Sequence, residues 1–418
     1  MMKSYIIEGG KKLDGVVKVS GSKNAALPIL AATILNADSN RLYNIPRISD
    51  TENTLEILRI LGCKIRLNGG KIEVNSKNMN KKEIPNKLMN KMRSTVILAG
   101  AILSRFKEVT FSYPGGCDIG ARPIDIHIMA FKKLGIDVKE ESGYIRCRAN
   151  QLVGTELNLD FPSVGATENI ILATVLAEGT TIINNAAMEP EVVDLVKFLK
   201  KMGAKIDGAG TNRITINGVK NLSKASYNIM PDRIEAGTFL CAVAATGGKL
   251  LLKNVDASQM GAVINKLQEC GCEISVTNDT INLLAPKRLK QVEIKTMTYP
   301  GFPTDMQQIF SAMMTRSSGT SIIVENIFEN RFKYISELRK MGAKIILEGR
   351  TAIITGKRKI QSADMMCTDL RGGAALVVAA MAAKGTSRIS NIEYLLRGYE
   401  DFDKKLNNIG ANIRIEDI

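Results

Sequence analysis

A five-residue pattern built around one glycine occurs six times in this chain of 418 residues. An apolar or sulfur-containing residue precedes the glycine, and a small or apolar residue, a polar or charged residue and a β-branched residue follow it. The copies are Leu61-Gly62-Cys63-Lys64-Ile65, Leu134-Gly135-Ile136-Asp137-Val138, Met202-Gly203-Ala204-Lys205-Ile206, Cys270-Gly271-Cys272-Glu273-Ile274, Met341-Gly342-Ala343-Lys344-Ile345 and Ile409-Gly410-Ala411-Asn412-Ile413. Their glycines are 73, 68, 68, 71 and 68 residues apart. Such regular spacing predicts six copies of one structural unit.

The residues around the pattern define that unit. Each copy follows an amphipathic segment, such as residues 192–199, so its glycine is predicted to end a surface helix in the left-handed conformation. Alternating stretches such as residues 214–216 then predict a hairpin. An almost uncharged, alanine-rich segment in each unit predicts a helix that is buried on all sides. These segments lie around residues 25–35, 95–103, 169–177, 236–245, 309–314 and 374–383. Four of them are expected to stop at Gly179, Gly247, Gly319 and Gly385.

The predicted unit is therefore strand, buried helix, strand, surface helix and hairpin, which places the chain in the α/β class. Units of this length are expected to form two domains of three units each, because the result is an ordinary domain size. The boundary is expected near residue 230. An open array of six units is the alternative.

Composition excludes several classes of protein. Apolar residues make up 45% of the chain, which argues against disorder, and no segment has the roughly 20 uninterrupted apolar residues of a membrane span. The N-terminus lacks the pattern of a secretory leader, so we expect a cytoplasmic protein. Seven scattered cysteines favour reduced thiols, and the single histidine excludes a histidine-rich metal site. The net charge of +15 favours anionic partners.

Cations lie at the starts of four predicted buried helices, where each opposes the helix dipole at a cost of about 0.3–1 kcal/mol. They are Lys23, Arg93, Arg233 and Arg371. We interpret them as candidates for one or more anion sites. Neighbouring polar residues are ordinary helix caps unless shown otherwise. Those residues are Ser22, Asn24, Ser94, Ser163, Thr167, Asp232, Thr304, Asp305 and Asp369.

A second group of arginines precedes the predicted surface helices. Its members are Arg47, Arg122, Arg331 and Arg397. Arginine grips phosphate or carboxylate in a bidentate manner, although for any one of the four a solvated surface position is an equal alternative. Together they indicate a compact ligand with several negative charges.

One loop, residues 113–123, departs from the repeat. Two glycines precede Cys117, and Arg122 follows it at a distance where its charge would favour the reactive thiolate. Most cysteines are inert and buried, but these surroundings are unlike a core. Cys270 and Cys272 fall inside the repeated pattern, which argues against a metal site there.

Asp305 is a candidate general base toward a hydroxyl group, with helix capping as the alternative. The chain has no phosphate-binding loop of the GxxxxGK[ST] type and no GxGxxG segment that opens a helix. Nucleotide hydrolysis and dinucleotide redox chemistry therefore lack support.

Five segments together closely resemble the UDP-N-acetylglucosamine enolpyruvyl transferase family. They are Gly21-Ser22-Lys23-Asn24-Ala25-Ala26-Leu27-Pro28, Pro114-Gly115-Gly116-Cys117 with Arg122-Pro123-Ile124-Asp125, Ser163-Val164-Gly165-Ala166-Thr167, Phe302-Pro303-Thr304-Asp305-Met306-Gln307 and Phe328-Glu329-Asn330-Arg331-Phe332. The resemblance covers the whole chain. It implies transfer of enolpyruvyl from phosphoenolpyruvate to the 3′-hydroxyl of UDP-N-acetylglucosamine with release of phosphate, the first committed step of peptidoglycan synthesis. It implies no metal and no organic cofactor.

The resemblance also implies a fold and a domain division. The fold is two inside-out α/β barrels, each with pseudo-threefold symmetry. One domain is residues 22–230 with the Cys117 loop, and the other is residues 1–21 and 231–418. The active site is expected in the cleft between them.

Residue roles follow from the matched motifs. Lys23, Asn24, Arg122 and Arg397 would hold phosphoenolpyruvate, and Lys23 would also take part in catalysis. Cys117 would protonate the methylene carbon, and Asp305 would accept the proton of the sugar hydroxyl. The expected nucleotide-sugar residues are Arg93, Arg122, Pro123, Ile124, Asp125, Ile126, Ser163, Val164, Gly165, Asp305 and Ile327. Arg331, Asp369 and Arg371 would be further members of the cleft. Phe161 departs from the family, where some members carry lysine.

Two alternatives come from different classes. The shikimate-pathway enolpyruvyl transferase resembles this chain in fold but does not use a Pro-Gly-Gly-Cys loop. A nucleic-acid-binding scaffold would fit the positive charge. Aromatic residues make up only 5% of the chain and tryptophan is absent, so few side chains could stack on bases. We therefore expect small-molecule partners, no nucleic acid and no membrane insertion.

Overall fold

The computed structural model describes residues 3–89, 91–113, 115 and 124–417. Within these residues the chain forms 13 α-helices and 23 β-strands. The helices are α1 (Lys23–Ala32), α2 (Ser49–Ile60), α3 (Asn86–Met89), α4 (Ile97–Phe106), α5 (Asp125–Lys133), α6 (Val164–Thr174), α7 (Pro190–Lys201), α8 (Arg233–Thr246), α9 (Gly261–Glu269), α10 (Thr304–Met314), α11 (Tyr334–Lys340), α12 (Leu370–Ala382) and α13 (Phe402–Asn407). Three short 3₁₀ helices cover Arg93–Val96, Ala257–Met260 and Ile392–Arg397.

The strands alternate with these helices along the chain. They are β1 (Lys3–Gly9), β2 (Leu13–Lys18), β3 (Ser39–Tyr43), β4 (Lys64–Asn68), β5 (Lys71–Asn75), β6 (Glu108–Ser112), β7 (Asp137–Glu141), β8 (Tyr144–Arg148), β9 (Glu156–Asn158), β10 (Thr180–Asn184), β11 (Lys205–Asp207), β12 (Arg213–Asn217), β13 (Ser226–Asn228), β14 (Gly248–Lys253), β15 (Glu273–Val276), β16 (Thr280–Leu284), β17 (Glu293–Lys295), β18 (Thr320–Val324), β19 (Lys344–Glu348), β20 (Thr351–Thr355), β21 (Asp364–Met366), β22 (Gly385–Ser390) and β23 (Ile413–Asp417).

The described residues form two compact units, each with its own apolar core. The first unit lies between residues 21 and 230, and the second comprises residues 3–20 and 231–417. The six predicted buried helices are α1, α4, α6, α8, α10 and α12, and most of their residues are inaccessible to solvent. Their lack of charge is the cause, since a helix that is apolar on all sides is stable only when it is covered on all sides.

The glycines of the repeated pattern have the predicted conformation. All six have a positive φ, between 78° and 105°, and follow the last residue of a surface helix by two residues, or by three for Gly410. Of the four predicted stops of buried helices, only Gly247 directly follows its helix, α8. Helices α6, α10 and α12 end earlier, at Thr174, Met314 and Ala382, so the prediction is wrong there. The glycines in those units instead turn the chain into the next strand.

Six small sheets confirm the six predicted units. Five have four strands, in the orders β13-β3-β5-β4, β11-β12-β10-β9, β15-β16-β14-β2, β17-β18-β20-β19 and β21-β22-β1-β23. The sixth, β6-β8-β7, has three strands and a single parallel bridge from Glu83 to Thr110 where the others have a fourth strand. Each has two antiparallel pairings, and the four-stranded sheets add one parallel strand. None of these described sheets closes into a barrel.

The helices and not the strands meet at the centre. In the second unit α8, α10 and α12 pack against one another, while the sheets cover them with one buried face each. This is the predicted inside-out α/β arrangement, because the buried helices occupy the place that strands have in an ordinary barrel.

Near residues 20 and 230, a strand and the helix that follows it in sequence belong to different units. β2 precedes α1 but pairs in parallel with β14 of the second unit. β13 precedes α8 but pairs in parallel with β3 of the first unit. β1 lies between β22 and β23, so the N-terminal residues complete two sheets of the second unit.

Candidate functional site

Asp305 lies in the first turn of α10 and contacts two arginines. Its Oδ1 accepts from Nη2 of Arg331 at 2.5 Å, and its Oδ2 accepts from Nε of Arg371 at 3.1 Å. The arginine side chains are only 4% and 3% exposed, whereas the Asp305 side chain is 28% exposed. The carboxylate is thus the accessible member of a buried charged cluster. The alternative interpretation of Asp305 as a helix cap is wrong, because both of its oxygens bind arginines.

The arginines determine the charge of Asp305. Burial alone would raise the pKa of its carboxyl group, but the charges and hydrogen bonds of Arg371 and Arg331 outweigh burial and hold this pKa well below its usual range. Asp305 is therefore ionised throughout the neutral range.

Arg371 is itself held on several sides. Its guanidinium lies 5.2 Å from the centroid of the Tyr399 ring. The Tyr399 hydroxyl lies 2.9 Å from Oγ1 of Thr238. One nitrogen, Nη1, is buried and has no hydrogen-bond partner among the described residues. A buried donor in this state is costly, which points to a ligand or water that completes it.

Glu325 fixes the loop that carries Ile327. The carboxylate of Glu325 is fully buried and accepts from the hydroxyls of Thr296 and Thr304, each at 2.9 Å. It also accepts from the backbone N–H groups of Ile327 at 2.9 Å and Phe328 at 3.2 Å. One side chain therefore joins the start of α10 to the loop with Ile327.

In the first unit, Lys23 begins α1 and forms an ion pair with a buried carboxylate. Nζ of Lys23 is 2.7 Å from Oδ2 of Asp50, and the two side chains are 11% and 2% exposed. Ser22 caps the helix by accepting from the N–H of Ala25, as predicted, while Asn24 is exposed.

The predicted nucleotide-sugar residues include the starts of two helices in the first unit. Ser163 caps α6 by accepting from the N–H of Ala166, with Val164 and Gly165 in the first turn. Asp125 and Ile126 begin α5, directly after the buried Ile124.

His127 follows them in α5 and is 7% exposed. A Cβ placed on Gly165 would lie 3.6 Å from Nε2 of His127, so the two helix starts adjoin.

The other predicted residues lie at further helix ends. Arg93 begins a 3₁₀ helix, and Arg397 ends one. Asp369 caps α12 through the N–H groups of Arg371 and Gly372. Arg233 lies 5.6 Å from the Tyr299 ring centroid. Cys117, Arg122 and Pro123 lie outside the described residues.

Comparison with known proteins decides the family. The sequence matches the family EPSP synthase (3-phosphoshikimate 1-carboxyvinyltransferase) over residues 7–406. UDP-N-acetylglucosamine 1-carboxyvinyltransferase 2 of Caldanaerobacter subterraneus subsp. tengcongensis is 50% identical over 413 residues, 99% of either chain. The UDP-N-acetylglucosamine 1-carboxyvinyltransferase of Geotalea uraniireducens is 46% identical over 412 residues, again 99% of each chain. This chain belongs to the enolpyruvyl transferase family, with the UDP-N-acetylglucosamine 1-carboxyvinyltransferases.

A solved structure supports the fold of this transferase. The enolpyruvyl transferase NikO from Streptomyces tendae matches with a TM-score of 0.90 at 24% identity, over 99% of both chains. At that identity the likeness concerns the fold alone.

Several residues that contact predicted site residues of this transferase were not themselves predicted from the sequence. Asp50, Glu325 and Tyr399 hold the predicted residues in place, but none belongs to a recognisable motif. The sequence held a local signal for Asp50 alone among these three, because a cation at a helix start, here Lys23, predicts a nearby anion. For Lys23 and Arg371 the structure supplies that anion as Asp50 and Asp305.

The described part of this transferase shows no group of three or more His, Cys, Asp and Glu side chains arranged to hold a metal ion. Its six described cysteines are free thiols, all buried. None of the helices in the described ranges is both long and apolar enough to span a bilayer.

Proposed function

We propose that this protein transfers the enolpyruvyl group of phosphoenolpyruvate to the 3′-hydroxyl of UDP-N-acetylglucosamine and releases phosphate, the first committed step of peptidoglycan synthesis. The observation that carries the proposal is the cluster of Asp305 with two buried arginines, one of which has a donor that no described residue satisfies. A carboxylate acceptor beside cationic donors matches a reaction that removes a proton from a hydroxyl and handles an anionic substrate.

Asp305 is the proposed base. Because Arg371 and Arg331 lower its pKa, Asp305 is a weak base toward a free alcohol. The hydroxyl becomes strongly acidic only as its oxygen bonds to carbon 2 of phosphoenolpyruvate. Proton transfer to Asp305 is therefore expected to accompany formation of that bond.

Cys117 is the proposed acid in the same step. It gives a proton to the methylene carbon, which becomes a methyl group in the tetrahedral adduct. The Cys117 thiolate then takes a proton back from this methyl group as the bond to the phosphate oxygen breaks, which gives the enol ether and phosphate. These steps balance without a metal or an organic cofactor.

Cations would hold the anionic substrates. Nη1 of Arg371 has no partner in the part of the chain that the structure describes, and Arg331 binds the same carboxylate of Asp305. Lys23, with Asn24, Arg122 and Arg397, is proposed for phosphoenolpyruvate. We also propose that Lys23 and Asp305 act in the same reaction.

The nucleotide sugar would bind at the helix starts of α5 and α6. Backbone N–H groups of a first turn suit a diphosphate, because they lack partners within the helix. The proposed residues are Arg93, Arg122, Pro123, Ile124, Asp125, Ile126, Ser163, Val164, Gly165, Asp305 and Ile327. Asp369 is proposed as a further member through its support of Arg371. The proposal places the protein in the cytoplasm, with two small-molecule substrates and neither nucleic acid nor a membrane as partner.

Phosphate release tests this function. We expect release from phosphoenolpyruvate only when UDP-N-acetylglucosamine is present, and no release with 3-phosphoshikimate as acceptor. Asp305→Ala and Cys117→Ser are expected to lose at least about a hundredfold in kcat, the usual contribution of an acid or base. Asp364→Ala is the matched control, since Asp364 is exposed in β21. Undiminished release in both site variants would refute the assignment of acid and base.

The Cys117 thiol has a separate test. Cys117→Asp keeps an acid at this position but removes the sulfur nucleophile. We expect partial activity and loss of inhibition by the thiol-directed epoxide fosfomycin. Full inhibition of this variant would contradict the assignment.

A further inference from the structure

Glu325 lies directly after β18 and is completely buried. Four donors converge on its carboxylate. Oε1 accepts from the hydroxyl of Thr296 at 2.9 Å and from the backbone N–H groups of Ile327 at 2.9 Å and Phe328 at 3.2 Å. Oε2 accepts from the hydroxyl of Thr304 at 2.9 Å. Several donors are what a buried carboxylate requires to offset its loss of hydration, so this side chain has a single well-defined position.

The segment that follows, residues 326–330, is attached to α10 at both of its ends, and we call it the clamped loop. At its start Glu325 binds Thr304, the first residue of α10. At its end Arg331 binds Asp305, the second residue of the same helix. Two adjacent residues of one helix thus hold both ends of the clamped loop.

The two attachments differ in what they control. Arg331 binds the carboxylate of Asp305, so a change at Arg331 alters the charge of the site as well as its shape. Glu325 binds a hydroxyl of α10 and the backbone of the clamped loop. A change at Glu325 therefore alters the placement of the loop while the ion pairs of Asp305 stay in place.

Asp305 itself has little freedom to adjust to a substrate, because one oxygen binds Arg331 and the other binds Arg371. Proton transfer requires the hydroxyl to lie within about 2.6–3.2 Å of the base. The residues that hold the sugar must therefore bring its hydroxyl to the carboxylate. One of the proposed nucleotide-sugar residues, Ile327, lies in the clamped loop, and Glu325 binds its backbone N–H directly.

We propose that Glu325 is a positioning residue for the acceptor substrate: it holds Ile327 and the start of α10 in one fixed arrangement, so that a sugar bound against Ile327 presents its hydroxyl to Asp305. This inference rests on the proposed function. Phosphoenolpyruvate is assigned to other residues, so its binding does not depend on the clamped loop. The effect of Glu325 is thus confined to one of the two substrates and to the step that removes the proton.

Amide hydrogen exchange in the free enzyme tests the clamp without reference to activity. We expect the N–H groups of Ile327 and Phe328 to exchange slowly in the wild type, because both donate to a buried carboxylate. Glu325→Leu removes these acceptors at similar size and is expected to speed the exchange of both groups by about tenfold or more. Equal exchange rates in the two proteins would overturn the inference.

Glu325→Gln is the conservative variant. Its amide oxygen keeps the place of Oε1, and its amide nitrogen donates to the Thr304 hydroxyl instead of accepting from it. We expect KM for UDP-N-acetylglucosamine to stay within about threefold of the wild type. Glu325→Leu is expected to raise this KM and to lower kcat by about tenfold each, with KM for phosphoenolpyruvate changed less than about twofold. Equal effects of the two variants would refute the role of the hydrogen bonds.

Glu337→Leu separates positioning from a loss of stability. Glu337 is also a buried carboxylate of the second unit, but it accepts from Nζ of Lys340 at 2.7 Å and from the N–H of Met366 at 2.9 Å. A purely structural change reduces the amount of folded enzyme and hence the measured kcat, but leaves both KM values unchanged. We expect this pattern for Glu337→Leu. The same rise in KM for UDP-N-acetylglucosamine in both leucine variants would overturn the proposal.

Thr296→Val provides a milder variant should Glu325→Leu fail to fold. It removes a fully buried hydroxyl that donates to Glu325 and accepts from the N–H of Asn326 at 2.8 Å. We expect KM for UDP-N-acetylglucosamine to rise by about threefold, with KM for phosphoenolpyruvate unchanged. No rise would refute the clamp. Absence of phosphate release in the wild type would instead refute the proposed function, and with it the role in acceptor binding, whereas the exchange result on the clamp would stand.

Discussion

Oδ2 of Asp305 accepts a hydrogen bond of 3.1 Å from Nε of Arg371, and this bond joins the most accessible charge of the cluster to its most enclosed cation. Arg331 binds the other oxygen of the same carboxylate. One carboxylate thus compensates two buried guanidinium groups, so its removal affects stability as well as chemistry.

Asp305→Asn is expected to lower the free energy of unfolding by about 3 kcal/mol at pH 7, because two buried cations lose their anion. The pKa of Asp305 is lower in the folded protein than its ordinary value of 3.8. Its contribution is therefore fully present above that ordinary value and is lost as the pH falls toward the folded one. Urea unfolding at pH 7 and pH 3 checks both statements.

The control for this prediction is Asp364→Asn, at an exposed position in β21. It is expected to change the free energy of unfolding by less than about 0.5 kcal/mol. A difference between wild type and Asp305→Asn that grows on acidification would contradict the assigned pKa direction.

Lys23→Met is expected to abolish turnover and to lower the free energy of unfolding by about 2 kcal/mol, because Asp50 stays buried without its lysine. The double variant Lys23→Met with Asp50→Asn also removes the negative charge of Asp50, which the single variant leaves buried without its lysine. It is expected to regain most of the stability but no turnover. Thermal unfolding and phosphate release measure the two effects separately. Recovery of turnover in the double variant would show that Lys23 acts only as a structural partner.

Glu235, in α8, is expected to make the free energy of unfolding of the second unit depend on pH. Its Oε2 accepts from the N–H of Ser20 at 2.7 Å, and its Oε1 accepts from Nζ of Lys405 at 2.6 Å. Burial raises the pKa of Glu235 from 4.5 to about 7, although the charge of Lys405 lowers it. The folded protein thus holds a proton that the unfolded chain releases between these values.

Stability from this group is therefore present below pH 4.5 and declines as the pH rises toward 7. Glu235→Gln removes the decline. We expect the free energy of unfolding of the wild type, relative to the variant, to fall by about 3 kcal/mol between pH 4.5 and pH 8. Unfolding by urea across this range measures it, with the exposed Glu273→Gln as control. A relative stability that rises with pH would contradict the raised pKa of Glu235.

The sequence predicted those parts of the fold that local patterns control. Six glycines after amphipathic segments and six uncharged segments were sufficient for the repeat, because helix ends and buried helices depend on neighbouring residues. The partners of β1 and β2 were not predictable in this way. The N-terminal residues alternate like a strand, but the sheets they complete use strands of the fourth and sixth units.

In the candidate site, too, local patterns identified some residues and missed others. Motifs identified Asp305, Lys23 and Ser163, each at a helix start. They did not identify the residues that hold the site in shape, because those contacts join distant parts of the chain. Glu325 binds Thr296, which is 29 residues away in sequence, and Thr304, which is 21 residues away.

The helix-ending glycines allow a last prediction with a closely matched control. Gly203 follows α7 with a φ of 102°, and a Cβ added there would meet no atom within 4 Å. Gly261 begins α9 with a φ of −49° and is equally open. Gly203→Ala is therefore expected to lower the free energy of unfolding by about 1–2 kcal/mol through backbone strain alone. Gly261→Ala is expected to raise it by about 0.5–1 kcal/mol, because alanine loses less backbone entropy in a helix. Urea unfolding of both variants measures the difference, and effects of the same sign would contradict the left-handed helix end as the basis of the repeat.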